Sequence, residues 1–175
     1  MSVPAFPFRK GSTMGALVFG AGNLLYADEG VGVHLANYLE EHFDGGDTVE
    51  FFDAGTLGMM AAHKFEDPEV VIVVDALELA GEPGEIRVYD GEDIRADRIP
   101  TKMSPHQLGL QEMMMVTELR GQTPRVVKLV GVIPERMEAG ELDLSAKIHG
   151  LLPKLAEIVI ELLAREGYTV RAKKA

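Results

Sequence analysis

The sequence contains no cysteine. That absence removes disulfides, thiolate zinc sites and cysteine nucleophiles together, and leaves any metal chemistry to histidine and carboxylate ligands. It also fits a cytoplasmic protein. No apolar run reaches the roughly 18 residues that a membrane span requires; the most apolar stretch is Val70 to Val74 with its neighbours. Bases are scarce, with 17 Lys and Arg against 28 Asp and Glu and a formal net charge of −11. Such a chain repels phosphate backbones at long range, so nucleic acid is not an expected partner. No basic patch offsets this, because Arg95 and Arg98 sit among Glu92, Asp93 and Asp97. There is no Gly-x-Ser-x-Gly elbow either, and Ser104, which precedes a proline, reads as a loop residue rather than an activated hydroxyl.

A length of 175 residues with 46% apolar content suits one packed domain. Residues 1–13 (MSVPAFPFRKGST) carry two prolines and a basic pair but no apolar block long enough for a secretory signal, and read as a flexible N-terminal leader. A single α/β domain is expected over 14–175. Ala16-Leu17-Val18-Phe19 is a short apolar run ended by Gly20; after a loop, Val31, Leu35, Tyr38, Leu39 and Phe43 recur at helical spacing. Val49 to Asp53 gives a second strand, followed by a Gly-Thr turn and a helix to Phe65. Val70 to Val74 gives a third strand, apolar throughout, as befits one covered on both faces.

Ile86 to Tyr89 follows after only about ten residues containing Gly81-Glu82-Pro83-Gly84, too few for a crossover helix, so an antiparallel edge strand is expected. A loop through Pro100, Pro105 and His106 leads to a helix over Leu108 to Leu119, a last strand over Val126 to Val132, and a long terminal helix. Pro153 either kinks that helix or opens a new first turn. The pattern predicts a three-layer α/β/α sandwich around a sheet of about five strands, mostly parallel with one antiparallel edge.

Gly20-Ala21-Gly22-Asn23 after the first strand invites a dinucleotide-binding reading. Leu25, however, stands where the third glycine of that fingerprint belongs, and the loop is several residues too long. The acids carry more information. Ligands in open α/β sheets collect at the carboxyl ends of strands, and Asp28-Glu29, Asp53 and Asp75 all close strands or the loops after them, with His106 in a later loop. Each also has a plain structural reading. Asp28 and Glu29 can complement a helix start, Asp53 can bond turn amides before Gly55 and Thr56, and His106 can sit at a helix N-terminus. Asp75 is harder to explain that way, because a carboxylate at a buried strand end needs a partner or a metal. His34, His42, His63 and His149 read as solvated helix surface, and Met113-Met114-Met115 as helix core and flank.

Phe19-Gly20-Ala21-Gly22-Asn23-Leu24-Leu25 followed by Asp28-Glu29-Gly30-Val31-Gly32-Val33 resembles the opening of the nickel-iron hydrogenase maturation endopeptidases. The likeness continues through Asp53-Ala54-Gly55-Thr56, Val74-Asp75-Ala76, Glu82-Pro83-Gly84, Ser104-Pro105-His106-Gln107, Leu129-Val130-Gly131-Val132 and Pro134-Glu135. It runs in order from Gly15 to the last helix. The resemblance implies an endopeptidase, aspartyl-type or metal-dependent, that removes the C-terminal extension of the hydrogenase large-subunit precursor once nickel is inserted. It implies Glu29, Asp75 and His106 as the metal-contacting and catalytic set. The nickel would arrive with the substrate, with zinc or cadmium as stand-ins in a crystal. Asp53, Gly55 and Thr56 would position the extension. Ala54 departs from the glycine common at that place. A nucleotide-binding module and a non-catalytic nickel carrier are the competing readings.

Overall fold

The computed structural model describes residues 15–96, 98–99 and 105–174, with side chains at all of these except 105–108. The leader expected over 1–13, the Ser104 position and the imidazole of His106 therefore lie outside the described residues.

In chain order the elements are β1 (Ala16–Ala21), a 3-10 turn (Ala27–Gly30), α1 (Val31–His42), β2 (Phe43–Asp44), β3 (Val49–Gly55), a 3-10 helix (Gly58–Phe65) and β4 (Val70–Ala76). They continue with β5 (Ile86–Asp90), α2 (Gly91–Arg95), α3 (Pro105–Leu119), β6 (Val126–Val132), α4 (Ala146–His149), α5 (Leu152–Arg165) and β7 (Arg171–Ala172). The main sheet has five strands in the order β3-β1-β4-β6-β5. Its first four strands are mutually parallel, and β5 runs antiparallel against β6. The mostly parallel sheet with one antiparallel edge is thus the one expected.

β1 and β4 are buried at every residue, which is why their sequences run apolar without alternation. One face of the sheet, through Val18, Ile72, Val74 and Val130, packs against Leu35 and Leu39 of α1 and Leu155 and Val159 of α5. The other face, through Leu17, Phe19, Val71, Val73 and Leu129, packs against Phe65 of the 3-10 helix and Leu110, Met113 and Met114 of α3. Met113 and Met114 are core and Met115 is exposed, as helix core and flank predicts.

Two local details differ from expectation, and a third, at Pro153, takes one of the two forms expected. The helix expected after β3 winds as a 3-10 helix. The terminal helix is divided: Ser145 caps α4 by accepting from the Ile148 amide at 3.3 Å, and Pro153 occupies the first turn of α5, where its missing N–H costs nothing. A two-residue antiparallel pair, β2 with β7, also ties the end of α1 to the C-terminal segment.

Candidate functional site

The carboxyl ends of β1, β3 and β4 lie side by side, because Gly20 is in register with both Asp53 and Val74. The loop after β1 is held against this rim by glycines. A Cβ on Gly32 would stand 2.1 Å from the Val74 carbonyl oxygen and 2.2 Å from that of Ala21, so the first turn of α1 rests directly on two strand ends. Gly22 has φ +145°, and a Cβ there would meet the Glu29 carbonyl oxygen at 2.1 Å. The Ala27–Gly30 turn that carries Glu29 consequently packs against β4, next to the strand end that carries Asp75. The space beside Gly22, which a dinucleotide would need for its pyrophosphate, is filled by the protein's own Glu29 backbone.

Asp75 is 3% exposed and shares a strand face with Val71 and Val73. Its Oδ1 accepts the Ala76 amide at 2.9 Å. The side chain lines a pocket together with Ala21, Gly55, Gly58, Leu110 and Met113. Glu29 is half-buried on the neighbouring turn. α3 starts at the same rim, since it leads back to the opposite end of the sheet where β6 begins; Gly109 sits against Gly58, with a Cβ on it 3.3 Å from the Gly58 Cα. Residue 106 falls one helical turn before Leu110, in the first turn of α3. The fold therefore gathers the Glu29 turn, the Asp75 strand end and the start of α3 at one rim. Among the described residues no group of three His, Asp or Glu side chains suits a metal ion; the third expected donor, the His106 imidazole, is not among them.

Asp53 takes its plain structural role: it is exposed, and its Oδ1 accepts the Gly55 amide at 3.0 Å, which shapes the turn where Gly55 has φ +48°. Gly55 in turn accepts the Gly22 amide at 3.0 Å and lines the pocket, while Thr56 is exposed. Of the four remaining histidines, His42, His63 and His149 are exposed as expected. His34 is not: it is half-buried in α1, and its Nε2 is buried without a hydrogen-bond partner.

Asp28 has the function that sequence reasoning missed. It is fully buried, and its carboxylate accepts three backbone amides from a distant loop: Ser145 at 2.7 Å and Glu135 and Arg136 each at 3.0 Å. Of the adjacent acids, then, Asp28 is the structural staple, and Glu29 is the half-buried one on the turn that packs against β4. Ala27, immediately before them, holds a left-handed φ of +49°, fixed by its amide bonding the Glu141 carbonyl at 2.7 Å.

The hydrogenase maturation protease family profile, HycI, matches residues 33–162. The chain is 32% identical over 163 residues to the hydrogenase 2 maturation protease of Escherichia coli, covering 93% of this chain and 98% of that protein. It is 30% identical over 173 residues to the hydrogenase expression/formation protein HupD of Rhizobium leguminosarum, covering 99% of this chain and 85% of the relative. Among solved structures, the hydrogenase maturating endopeptidase HybD from E. coli superposes with a TM-score of 0.84 at 32% identity, covering 91% of this chain and 98% of that one. The hydrogenase maturation protease HycI from Thermococcus kodakarensis superposes with a TM-score of 0.70 at 27% identity, covering 89% and 95%. Likeness in sequence and in fold over nearly the whole chain makes this protein a member of the hydrogenase maturation protease family.

Proposed function

We propose that this peptidase removes the C-terminal extension of a nickel-iron hydrogenase large-subunit precursor after nickel insertion, and that Glu29, Asp75 and His106 engage the nickel carried by that substrate. The observation that carries the reading is Asp75: a carboxylate only 3% exposed, closing the central apolar strand and lining a pocket beside the Glu29 turn. A carboxylate is expensive to bury, and a cation brought to the pocket it lines would offset that cost. Two carboxylates and an imidazole form a donor set suited to divalent nickel or zinc, with positions left for a substrate group or water.

Engaging the metal fixes the substrate, so that the peptide bond to be cut is held at the rim. Water adds across that bond, its oxygen to the carbonyl carbon and its proton to the departing amine. The turn formed by Asp53, Gly55 and Thr56 borders the same pocket and would orient the extension. No helix among the described residues is long and apolar enough to cross a membrane.

The test is to incubate the purified full chain with nickel-loaded and nickel-free precursor and weigh the products. A shortened product from the loaded precursor alone is expected, and none from either precursor with Asp75→Ala or His106→Ala. Trimming of the nickel-free precursor would refute nickel recognition; trimming by those variants would refute the assigned residues.

A further inference from the structure

The loop that follows β1 shows an unusual surface. Leu25 is 58% exposed, Leu24 and Tyr26 each 39%, and Leu142, on the distant loop that Asp28 staples, 59%. These are not frayed residues. Gly140 donates its amide to the Leu25 carbonyl at 2.8 Å, Ala27 donates to Glu141 at 2.7 Å, and Tyr26 and Glu141 form a β-bridge. The Asp28 carboxylate closes the same two loops from beneath. Three consecutive large apolar residues and a fourth on the partner loop are thus displayed to solvent on two loops bonded to each other, and exposed apolar surface gathered in this way marks an interaction site.

The ridge adjoins the candidate site. Leu24 folds over Gly30, the residue after Glu29, closely enough that a Cβ on Gly30 would lie 3.1 Å from Leu24 Cδ2. Its surroundings are acidic. Glu135, Glu138 and Asp143 are exposed on the stapled loop, whereas the one base there, Arg136, is engaged by Glu141 at 3.7 Å.

We infer that Leu24, Leu25, Tyr26 and Leu142 form the docking ridge for the polypeptide substrate, and that they receive a segment with apolar side chains flanked by Lys or Arg. This inference rests on the peptidase reading above and adds the surface and the chemistry of its partner. Apolar contacts supply the affinity, and the acidic flank selects basic over acidic segments and speeds encounter. A second copy of this chain is a poor occupant, because a two-fold contact on the ridge would set Glu135, Glu138 and Asp143 against their own counterparts. An anionic lipid surface would be repelled by the same acids.

The test uses Leu25→Ser/Leu142→Ser and, separately, Glu138→Lys/Asp143→Lys in the full chain, with nickel-loaded precursor. All four positions are exposed, so thermal unfolding should match wild type. The apolar double variant should raise KM about tenfold while kcat at saturating precursor is kept. The charge variant should also raise KM and should flatten or invert the salt dependence of precursor association. KM values within twofold of wild type in both variants would overturn the ridge, as would loss of self-association as the only effect, which would assign the ridge to a second copy. The two readings fail separately. If wild type does not trim the precursor, the peptidase reading falls, while calorimetric binding of the same precursor to wild type and variants still judges the ridge.

Discussion

Replacing Asp28 by alanine should be among the most damaging single changes outside the hydrophobic core. The carboxylate is fully buried and accepts amides at 2.7, 3.0 and 3.0 Å from residues more than 100 positions away. A hydrogen bond to an ionised acceptor contributes about 1.5–3 kcal/mol net, and a donor stranded in the interior costs a comparable amount. The loop that carries the three amides can open and rehydrate once the carboxylate is gone, which places the total at the lower end for three such bonds, about 4.5 kcal/mol. That is a large part of the roughly 5–15 kcal/mol by which a domain is usually stable. Asp28→Asn keeps the shape and one carbonyl oxygen but turns an NH2 toward amide donors, so about half of that loss, ~2 kcal/mol, is expected. Urea unfolding followed by circular dichroism gives both values, and hydrogen exchange should quicken at the amides of Glu135, Arg136 and Ser145. An alanine variant within about 1 kcal/mol of wild type, with those amides still protected, would show that the staple is not what joins the two loops.

Three further outcomes follow from the packing and charges. Gly32→Ala would drive a methyl into the Val74 and Ala21 carbonyls, so it should cost about 3 kcal/mol, and it should also impair cleavage by lifting the Glu29 turn off β4, measurable by paired unfolding and trimming assays. Asp75→Asn keeps the shape of the side chain, so it should leave a folded protein, yet lower trimming by at least about 100-fold; retained trimming would remove Asp75 from the site. The Arg87 guanidinium, bonded to Glu85 at 2.9 Å, holds that carboxyl below its usual range, helped by the Glu82 amide and opposed by partial desolvation. Because the folded-state value is the lower one, the pair stabilises the protein above the ordinary carboxylate range, and that contribution is lost as pH falls through the depressed value. Arg87→Met should therefore narrow its stability deficit on acidification and raise the Glu85 titration seen by carboxyl NMR; an unmoved titration would contradict the pairing.

How far the sequence carried depends on the range of the interaction. The central strands were legible because burial on both faces demands unbroken apolar runs, and the reversed β5 because ten residues cannot make a crossover. Asp75 stood out for a related reason, as a charge closing the most apolar run. Asp28 did not. Its helix-start position explained it adequately, and nothing local announces partners at Glu135, Arg136 and Ser145; the one available signal was the acidic doublet, since two adjacent side chains on a tight turn point different ways. The β2 and β7 pair escaped because two-residue strands have no periodicity to read. The glycines at 20 and 22 were visible but ambiguous: the close approach they permit is to the protein's own carbonyls and helix, not to a phosphate.

The central claim is that three side chains far apart in sequence meet around one divalent ion. A crystal structure of the protein grown with zinc or nickel, with the ion located by anomalous scattering, tests it directly. The account predicts one ion at the sheet rim, about 2.0–2.2 Å from a carboxylate oxygen of Glu29, one of Asp75 and a ring nitrogen of His106. An ion bound elsewhere, or an imidazole of His106 turned away from both carboxylates with the ion present, would contradict it.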